Sequence, residues 1–429
     1  MTLALIGFSV VLLLSLLGLP IAFAMLAVGF FGFAHVTSFG PAMAMTGQIA
    51  YETTINYGLT VLPLFILMGN FLNKAKLSSE LYDASNAFLG HRRGGLAMAT
   101  IVACGGFSAI CGSSLATAAT MAKVSIPSMR KYRYNDGLAA GSVAAGGTLG
   151  ILIPPSTVFV LYGIMTQTDI GKLFAAGIIP GILTIVLYCV AIAIVVKVRP
   201  DLGPPGERFS WSQRLRSLRN VWGVLALFIL VIGGLYVGAF TPTEAAGIGA
   251  FGGFVFALFR GGLDWSSMLD VTVETARTTA TLFMVLIGAL VFSNFVNVAG
   301  MSSAMAQWIA GLNVGPLMVI FWILVIYLIL GCVFESISMV LLTVPVFFPI
   351  VQHLGLDPIW FGVIVVVATE ISLITPPVGL NVYVLKGVYR EIPTGTIFKG
   401  VMPFIGADMV RLTLLVLFPV ISLWLPSFM

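Results

Sequence analysis

The chain has 429 residues, of which 59% are apolar and 9% charged, with a formal charge of +5. Soluble domains carry about 45–50% apolar and about 25% charged residues, so a water-soluble enzyme and a disordered chain are both excluded. A mean hydropathy of +1.08, with 47 Gly and 21 Pro, fits a polytopic helical membrane protein, since about 20 apolar residues cross a bilayer and Gly and Pro are common in spanning helices.

The length allows about twelve or more membrane segments. In chain order, spans are predicted at about 3–18, 20–36 and 58–73, a hairpin at 94–128, an interrupted span at 136–168 and a span at 173–197. A polar linker, 201–220, follows. After it come spans at about 221–238, 242–259 and 278–297, a hairpin at 316–351, an interrupted span at 359–385 and a span at 400–424. Weaker segments at about 42–57 and 264–276 read as interfacial amphipathic helices. Met1 to Ala24 has the apolar run of a secretory peptide but lacks its basic start, and it is expected to be retained. Cys104, Cys111, Cys189 and Cys332 show no metal or disulfide spacing and read as packing residues. The basic residues lie in short clusters between spans, so they do not point to nucleic acid.

The chain repeats itself. At one interval of 222 residues, Pro20 meets Pro242, Ser114 meets Ser336, Pro127 meets Pro349, and Pro154-Pro155 meets Pro376-Pro377. The predicted fold is therefore all-α and polytopic, with two repeats, 1–200 and 221–429, each holding a re-entrant hairpin and an interrupted helix. Five crossings per half would invert the second repeat. With the linker in the cytoplasm, 18 of the 21 Lys and Arg fall on that side, as the positive-inside rule requires. Lys76 and Arg277 are among them, the loops 37–57, 298–315 and 352–358 carry none, and both termini are expected in the periplasm.

Inverted repeats with broken helices mark secondary transporters, whose sites lie where the breaks meet. The candidate positions are the hairpin tips and the double prolines. The tips read Cys111-Gly112-Ser113-Ser114 and Phe334-Glu335-Ser336-Ile337-Ser338. At the breaks, the prolines supply no N–H, so the carbonyls of Gly150, Ile151, Ser372 and Leu373 are expected to lose their helical donors. Such carbonyls must line a cavity or meet an ion. Oxygen ligands without a His or Cys cluster suit Na+ rather than a transition metal, and the positive ends of half-helices suit an anionic substrate. Glu335 and Glu370, at membrane depth, are either functional or paired at a helix end. Lys123 either faces a substrate carboxylate or snorkels; Glu52, Glu244 and Glu274 read as interfacial, and Asp408 with Arg411, spaced i, i+3, as an ion pair. No nucleotide loop or hydrolase motif is present in the sequence, so energy must come from an ion gradient or from nothing, and no catalytic residue is expected.

The stretches GGFSAICGSSLATAATMAKVSIPSM (105–129), GTLGILIPPSTVFVLYG (147–163) and ATEISLITPPVGLNVYVLKG (368–387) closely resemble the large membrane subunit of tripartite ATP-independent periplasmic (TRAP) transporters. The resemblance implies Na+-coupled import of organic acids across the bacterial inner membrane by an elevator movement of the ion-transporter-superfamily kind. It also implies a small four-span membrane partner and a periplasmic substrate-binding protein. One Na+ site would join Ser113 and Ser114 to the break at Gly150, Ile151 and Pro154 to Pro155; a second would join Ser336 and Ser338 to Ser372, Thr375 and Pro376. Substrate would lie between the tips, near Ser114, Thr157, Ser336 and Asn381, with Gly112 a further candidate at the first tip. A stand-alone symporter or exporter of related two-hairpin architecture is the alternative, and a channel or intramembrane enzyme is disfavoured because neither explains the hairpins.

Overall fold

The computed structural model describes residues 2–75, 77–301, 304–305, 307, 311 and 314–429, and every regular element among them is helical. The chain begins with α1 (Thr2–Leu16), α2 (Ile21–Val36), α3 (Phe39–Ile55), α4 (Val61–Lys74) and α5 (Leu77–Leu89). A hairpin of α6 (Gly95–Cys111) and α7 (Ser114–Lys131) leads to a broken helix, α8 (Asp136–Thr148) and α9 (Thr157–Thr166), and then to α10 (Ile170–Val198). The second series is α11 (Trp211–Tyr236), α12 (Pro242–Phe259), α13 (Trp265–Val298), the hairpin α14 (Pro316–Leu330) and α15 (Ser336–His353), the broken helix α16 (Pro358–Ser372) and α17 (Leu380–Val388), and α18 (Thr394–Leu417). Met1, Lys76 and, within the expected loop 298–315, residues 302, 303, 306, 308–310, 312 and 313 lie outside the described residues.

Among the described residues six helices are long and apolar enough to cross a membrane, or seven if the bent pair α3–α4 is one span. The helices α6, α9, α14 and α16 are apolar but shorter, because a tip or a proline pair ends each. The 222-residue interval recurs in the helix starts: Ser114 and Ser336 open α7 and α15, and Asp136 and Pro358 open α8 and α16. Packing is reciprocal under the same interval. Thus α2 lies on α13 as α12 lies on α4, α7 lies on α17 as α15 lies on α9, and α8 lies on α18 as α16 lies on α10.

Three elements differ from the sequence expectation. The linker read as 201–220 is helical from Trp211, because Ser210 and Gln213 form a reciprocal capping box that satisfies two orphan N–H groups. The segment between Lys74 and Gly94 contains α5, whose Leu77, Leu81, Tyr82 and Ala84 are buried; its Ser, Glu and Asp residues disguise the apolar face. The 264–276 and 278–297 segments are one continuous 34-residue helix, α13. At the matching place in the first half, Asn56 accepts a hydrogen bond from the N–H of Gly58 at 2.8 Å and the chain bends by 55°, whereas Thr278-Thr279-Ala280 offers no breaker.

The α8–α18 seam brings backbones into contact. A Cβ on Gly141 would overlap the Gly400 backbone, and one on Gly400 would overlap the Gly137 carbonyl. In a membrane, where lipid is as apolar as any side chain, such small-residue seams permit the close van der Waals contact that holds helices together.

Candidate functional site

The first hairpin reverses through Gly112 and Ser113. Gly112 has φ +60°, where a Cβ is strained, and its N–H bonds the carbonyl of Ser108. Ser113 caps α7, its Oγ accepting from the N–H of Ala116 at 3.4 Å. Ser114, buried, donates its hydroxyl to the carbonyl of Thr148 at 3.3 Å, and Thr157 donates to the carbonyl of Gly112 at 3.2 Å. A Cβ on Gly150 would sit 2.6 Å from the Ser113 carbonyl oxygen and 2.8 Å from the Ser114 nitrogen. Only bare backbone fits there, so the first tip and the first break are in direct contact.

The second hairpin closes similarly on its own break. A Cβ on Gly331 would overlap the Ser372 side chain, and the Cys332 thiol lies 3.7 Å from the carbonyl oxygen of Pro376. The hydroxyl of Ser372 donates to the carbonyl of Thr369 and that of Thr375 to the carbonyl of Ile371, each at 2.6 Å. Ser336 and Ser338 are buried in the first turn of α15, behind the exposed N-cap residue Glu335.

The expectation of donor-less carbonyls at the breaks is corrected. The Ile151 carbonyl accepts from the Ser156 hydroxyl, that of Ser372 accepts from the Thr375 N–H at 3.3 Å, and that of Leu373 accepts from the Asn381 N–H at 3.0 Å. Ser156 and Asn381 are brought back after the proline pairs, and Thr375 closes a tight turn just before the second pair, so Ile151, Ser372 and Leu373 are the carbonyls that gain donors. Each oxygen keeps a second lone pair, so the carbonyls remain available as ligands.

Both tips open onto one cavity of 390 Å³, within the usual range of about 300–1,000 Å³ for ligand sites, lined by residues 112–116 and 335–338 together with Ile151 and Thr157. The facing wall comes from Asn70 and Asn73 of α4 and from Glu274, Arg277, Thr278 and Thr281 of α13. Arg277 is the one Lys or Arg among the lining residues, and it has no ion-pair partner among the described residues. Sequence reasoning counted Arg277 as a marker of the cytoplasmic side and Glu274 as interfacial; both line the cavity because α13 is continuous through this level. The signal that could have found them is a Glu and an Arg spaced i, i+3 in a Thr-rich stretch that leads directly into the apolar run from Leu282.

Gly112, Ser113, Ser114, Ile151, Thr157, Glu335, Ser336 and Ser338 are thus brought together. Ser372, Thr375 and Pro376 lie at the second break, outside the residues lining the cavity. Asn381 is fully buried and donates to the carbonyl of Ala144 at 3.0 Å; from the first turn of α17 it faces α8 and is not among the residues lining the cavity. Lys123 is exposed on α7 and does not line the cavity. Glu370 is fully buried and lies 3.1 Å from Arg411, which also lies 2.9 Å from Asp408, so the expected two-residue pair contains a third charge.

Two hairpin tips closing over broken helices and one polar cavity, in an all-helical apolar chain, define a polytopic membrane transporter rather than an enzyme. Residues 8–421 match the family described as "Tripartite ATP-independent periplasmic transporter, DctM component", and the chain belongs to that family. It is 37% identical to the C4-dicarboxylate TRAP transporter large permease protein DctM of Pseudomonas aeruginosa over 406 residues, covering 94% of each chain. It is 32% identical to the sialic acid TRAP transporter large permease protein SiaM of Vibrio cholerae over 418 residues, covering 96% of this chain and 95% of that one. The fold resembles that of the Alcanivorax borkumensis YdaH transporter, with a TM-score of 0.59 at 16% identity over 90% of each chain.

Proposed function

We propose that the chain is the large permease subunit of a Na+-coupled importer of a small organic acid in the bacterial inner membrane. It works with a small four-span membrane subunit and a periplasmic substrate-binding protein. The observation that carries the substrate class is Arg277, a guanidinium that lines the cavity beside Glu274 and Glu335 yet makes no ion pair among the described residues. The first turns of α7 and α15 line the same space, and the positive ends of their helix dipoles favour an anion. Relatives named for C4-dicarboxylate and sialic acid transport fit this reading.

Na+ is assigned to two tip-and-break sites. The first comprises Ser113, Ser114, Gly150, Ile151 and Pro154; the second comprises Ser336, Ser338, Ser372, Thr375 and Pro376. Hydroxyl and carbonyl oxygens are their only donors, as a hard cation requires. Glu335, at the mouth of the second site, adds a negative charge that favours a cation there.

The repeats, 1–200 and 221–429, are inverted, with both termini periplasmic. Supporting this, Asn70 bonds Thr275 at 2.9 Å and Lys74 pairs with Asp270 at 3.2 Å, so α4 and the start of α13 run in opposite directions. The hairpins and broken helices form the moving body of an elevator, and α1–α4 with α11–α13 its frame, since the cavity lies between these two groups.

Reconstitution of the complete assembly in liposomes tests the reading. Uptake of a radiolabelled carboxylate held by the binding protein is expected only with an inward Na+ gradient. Full uptake by this chain alone, or uptake indifferent to Na+, would overturn it.

A further inference from the structure

Behind the cavity, a series of buried polar groups runs from the first tip to the helix that precedes the second break, with the Thr148 hydroxyl shared between the Ala145 carbonyl at 2.7 Å and Tyr188. Ser114 donates to the Thr148 carbonyl at 3.3 Å, and the Thr148 hydroxyl lies 3.3 Å from the Tyr188 hydroxyl, which donates to Asp408 Oδ2 at 2.7 Å. Asp408 Oδ1 is 2.9 Å from Arg411 Nη2, and Arg411 Nη1 is 3.1 Å from Glu370 Oε2. Thr148, Tyr188, Asp408, Arg411 and Glu370 have no exposed surface.

The endpoints are repeat-related. Thr148 and Glu370 stand 222 residues apart, and each precedes by two residues a backbone position assigned to a cation site, Gly150 and Ser372. The middle of the chain comes from the helices after each break, Tyr188 from α10 and Asp408 and Arg411 from α18. An Asp–Arg pair on one helix needs neither Tyr188 nor Glu370 to neutralise it. Charges at this depth are costly, and well-packed apolar residues of similar volume are often equally stable or more so. What this arrangement does that an apolar core would not is link two otherwise separate sites.

We infer that Arg411, with Asp408 and Tyr188, is a positioning relay that makes the two tip-and-break sites interdependent. The inference rests on the assignment of Na+ to those sites. A cation that draws Ser114 and the 148–151 segment together displaces the Thr148 hydroxyl from Tyr188. Asp408 and Arg411 then re-aim, and Glu370, at the end of α16, carries the change to Ser372. In a low-dielectric interior such a polar chain is strengthened along its length.

The test uses the complete assembly in proteoliposomes and reads uptake against Na+ concentration. The wild type is expected to show a Hill coefficient above about 1.5, as coupled sites require. Tyr188→Phe keeps the ring and its packing but cuts the relay. It is expected to bring the coefficient to about 1 and raise half-saturating Na+ about fivefold or more, the lower bound of typical site coupling, with uptake at saturating Na+ within about twofold. Arg411→Lys, which keeps the charge but loses the planar fork, is expected to act in the same direction. The same loss of steepness is expected in the Na+ dependence of melting in detergent, where a purely structural role would lower the melting temperature and leave the steepness alone. An unchanged Na+ curve in folded Tyr188→Phe and Arg411→Lys, or a wild-type coefficient of about 1, would overturn the relay while sparing the cation sites. Melting and uptake that ignore Na+ altogether would instead remove the cation assignment, and the relay with it.

Discussion

The side-chain amide of Asn381 donates to the backbone carbonyl of Ala144 at 3.0 Å, a hydrogen bond that spans 237 residues of sequence. Asn381 lies just after the second break and Ala144 just before the first, so the bond ties the two broken helices to each other. Asn381→Ala is therefore expected to lower stability by about 0.5–1.5 kcal/mol for the lost bond, read as melting in detergent. The KM for substrate is expected to stay unchanged; a raised KM at unchanged stability would return Asn381 to the substrate site.

In the proposed function, anion recognition rests on Arg277. A hydrogen bond to a charged group contributes about 1.5–3 kcal/mol, so Arg277→Gln is expected to raise half-saturating substrate about 10- to 150-fold. Arg277→Lys is expected to fall between, because it keeps the charge without the bidentate geometry. Uptake assays over a substrate series, with the Na+ gradient held constant, check both.

Gly150 admits no Cβ between the first break and the first tip. Gly150→Ala forces Ser113 and Ser114 away from the 148–151 segment at a cost of about 1–3 kcal/mol in packing. The expected signature is loss of Na+-dependent uptake in a protein that still assembles with its partners in detergent. Normal Na+ dependence in this variant would show that the contact between tip and break does not form the cation site.

The seam between α8 and α18 is tested by Gly400→Ala. Its Cβ would meet the backbone of Gly137, which cannot rotate away as a side chain can. A loss of about 1–3 kcal/mol is expected from overpacking, whereas Gly395→Ala, at a position with open space, is expected to leave melting unchanged.

Outside the membrane, Arg130 at the end of α7 bonds Glu391 at 2.7 Å and Asp136 at 2.9 Å. The hydrogen bond from Arg130 holds the Glu391 carboxyl below its ordinary range. A carboxylate lowered on folding contributes stability that is fully present above its unfolded value and is lost as pH falls through the folded one. Melting temperature is thus expected to drop in the acid range below the ordinary carboxylate value, and Glu391→Gln is expected to flatten that part of the curve.

The hairpins and breaks were legible in the sequence because their chemistry is local. Pro154-Pro155 and Pro376-Pro377 end helices wherever they fall, and Gly112 with Ser113 and Ser114 supplies a turn and a cap without help from distant residues. Membership of the family followed from these stretches. What could not be read depends on which helices meet. Asp408 and Arg411 were recognisable as an i, i+3 pair, but Glu370 and Tyr188 join them only through the packing of α16 and α10 on α18. Asn381 is placed beside substrate by the family resemblance, and only the packing of α17 on α8 shows that its amide bonds Ala144. The helix α5 was hidden because Ser78, Ser79, Glu80 and Asp83 resemble a loop when its apolar face is not seen in three dimensions.

The continuity of α13 limits where motion can arise. Its 34 residues carry an unbroken helical ladder past the cavity, while its counterpart in the first half bends by 55° between α3 and α4. Arg277 consequently cannot approach or leave the tips by flexing of its own helix. Under the proposed elevator it serves as a datum, and a change in its distance to Ser114 or Ser336 would measure the travel of the hairpins. A spectroscopic label pair between α13 and either tip would therefore read displacement against a rigid ruler.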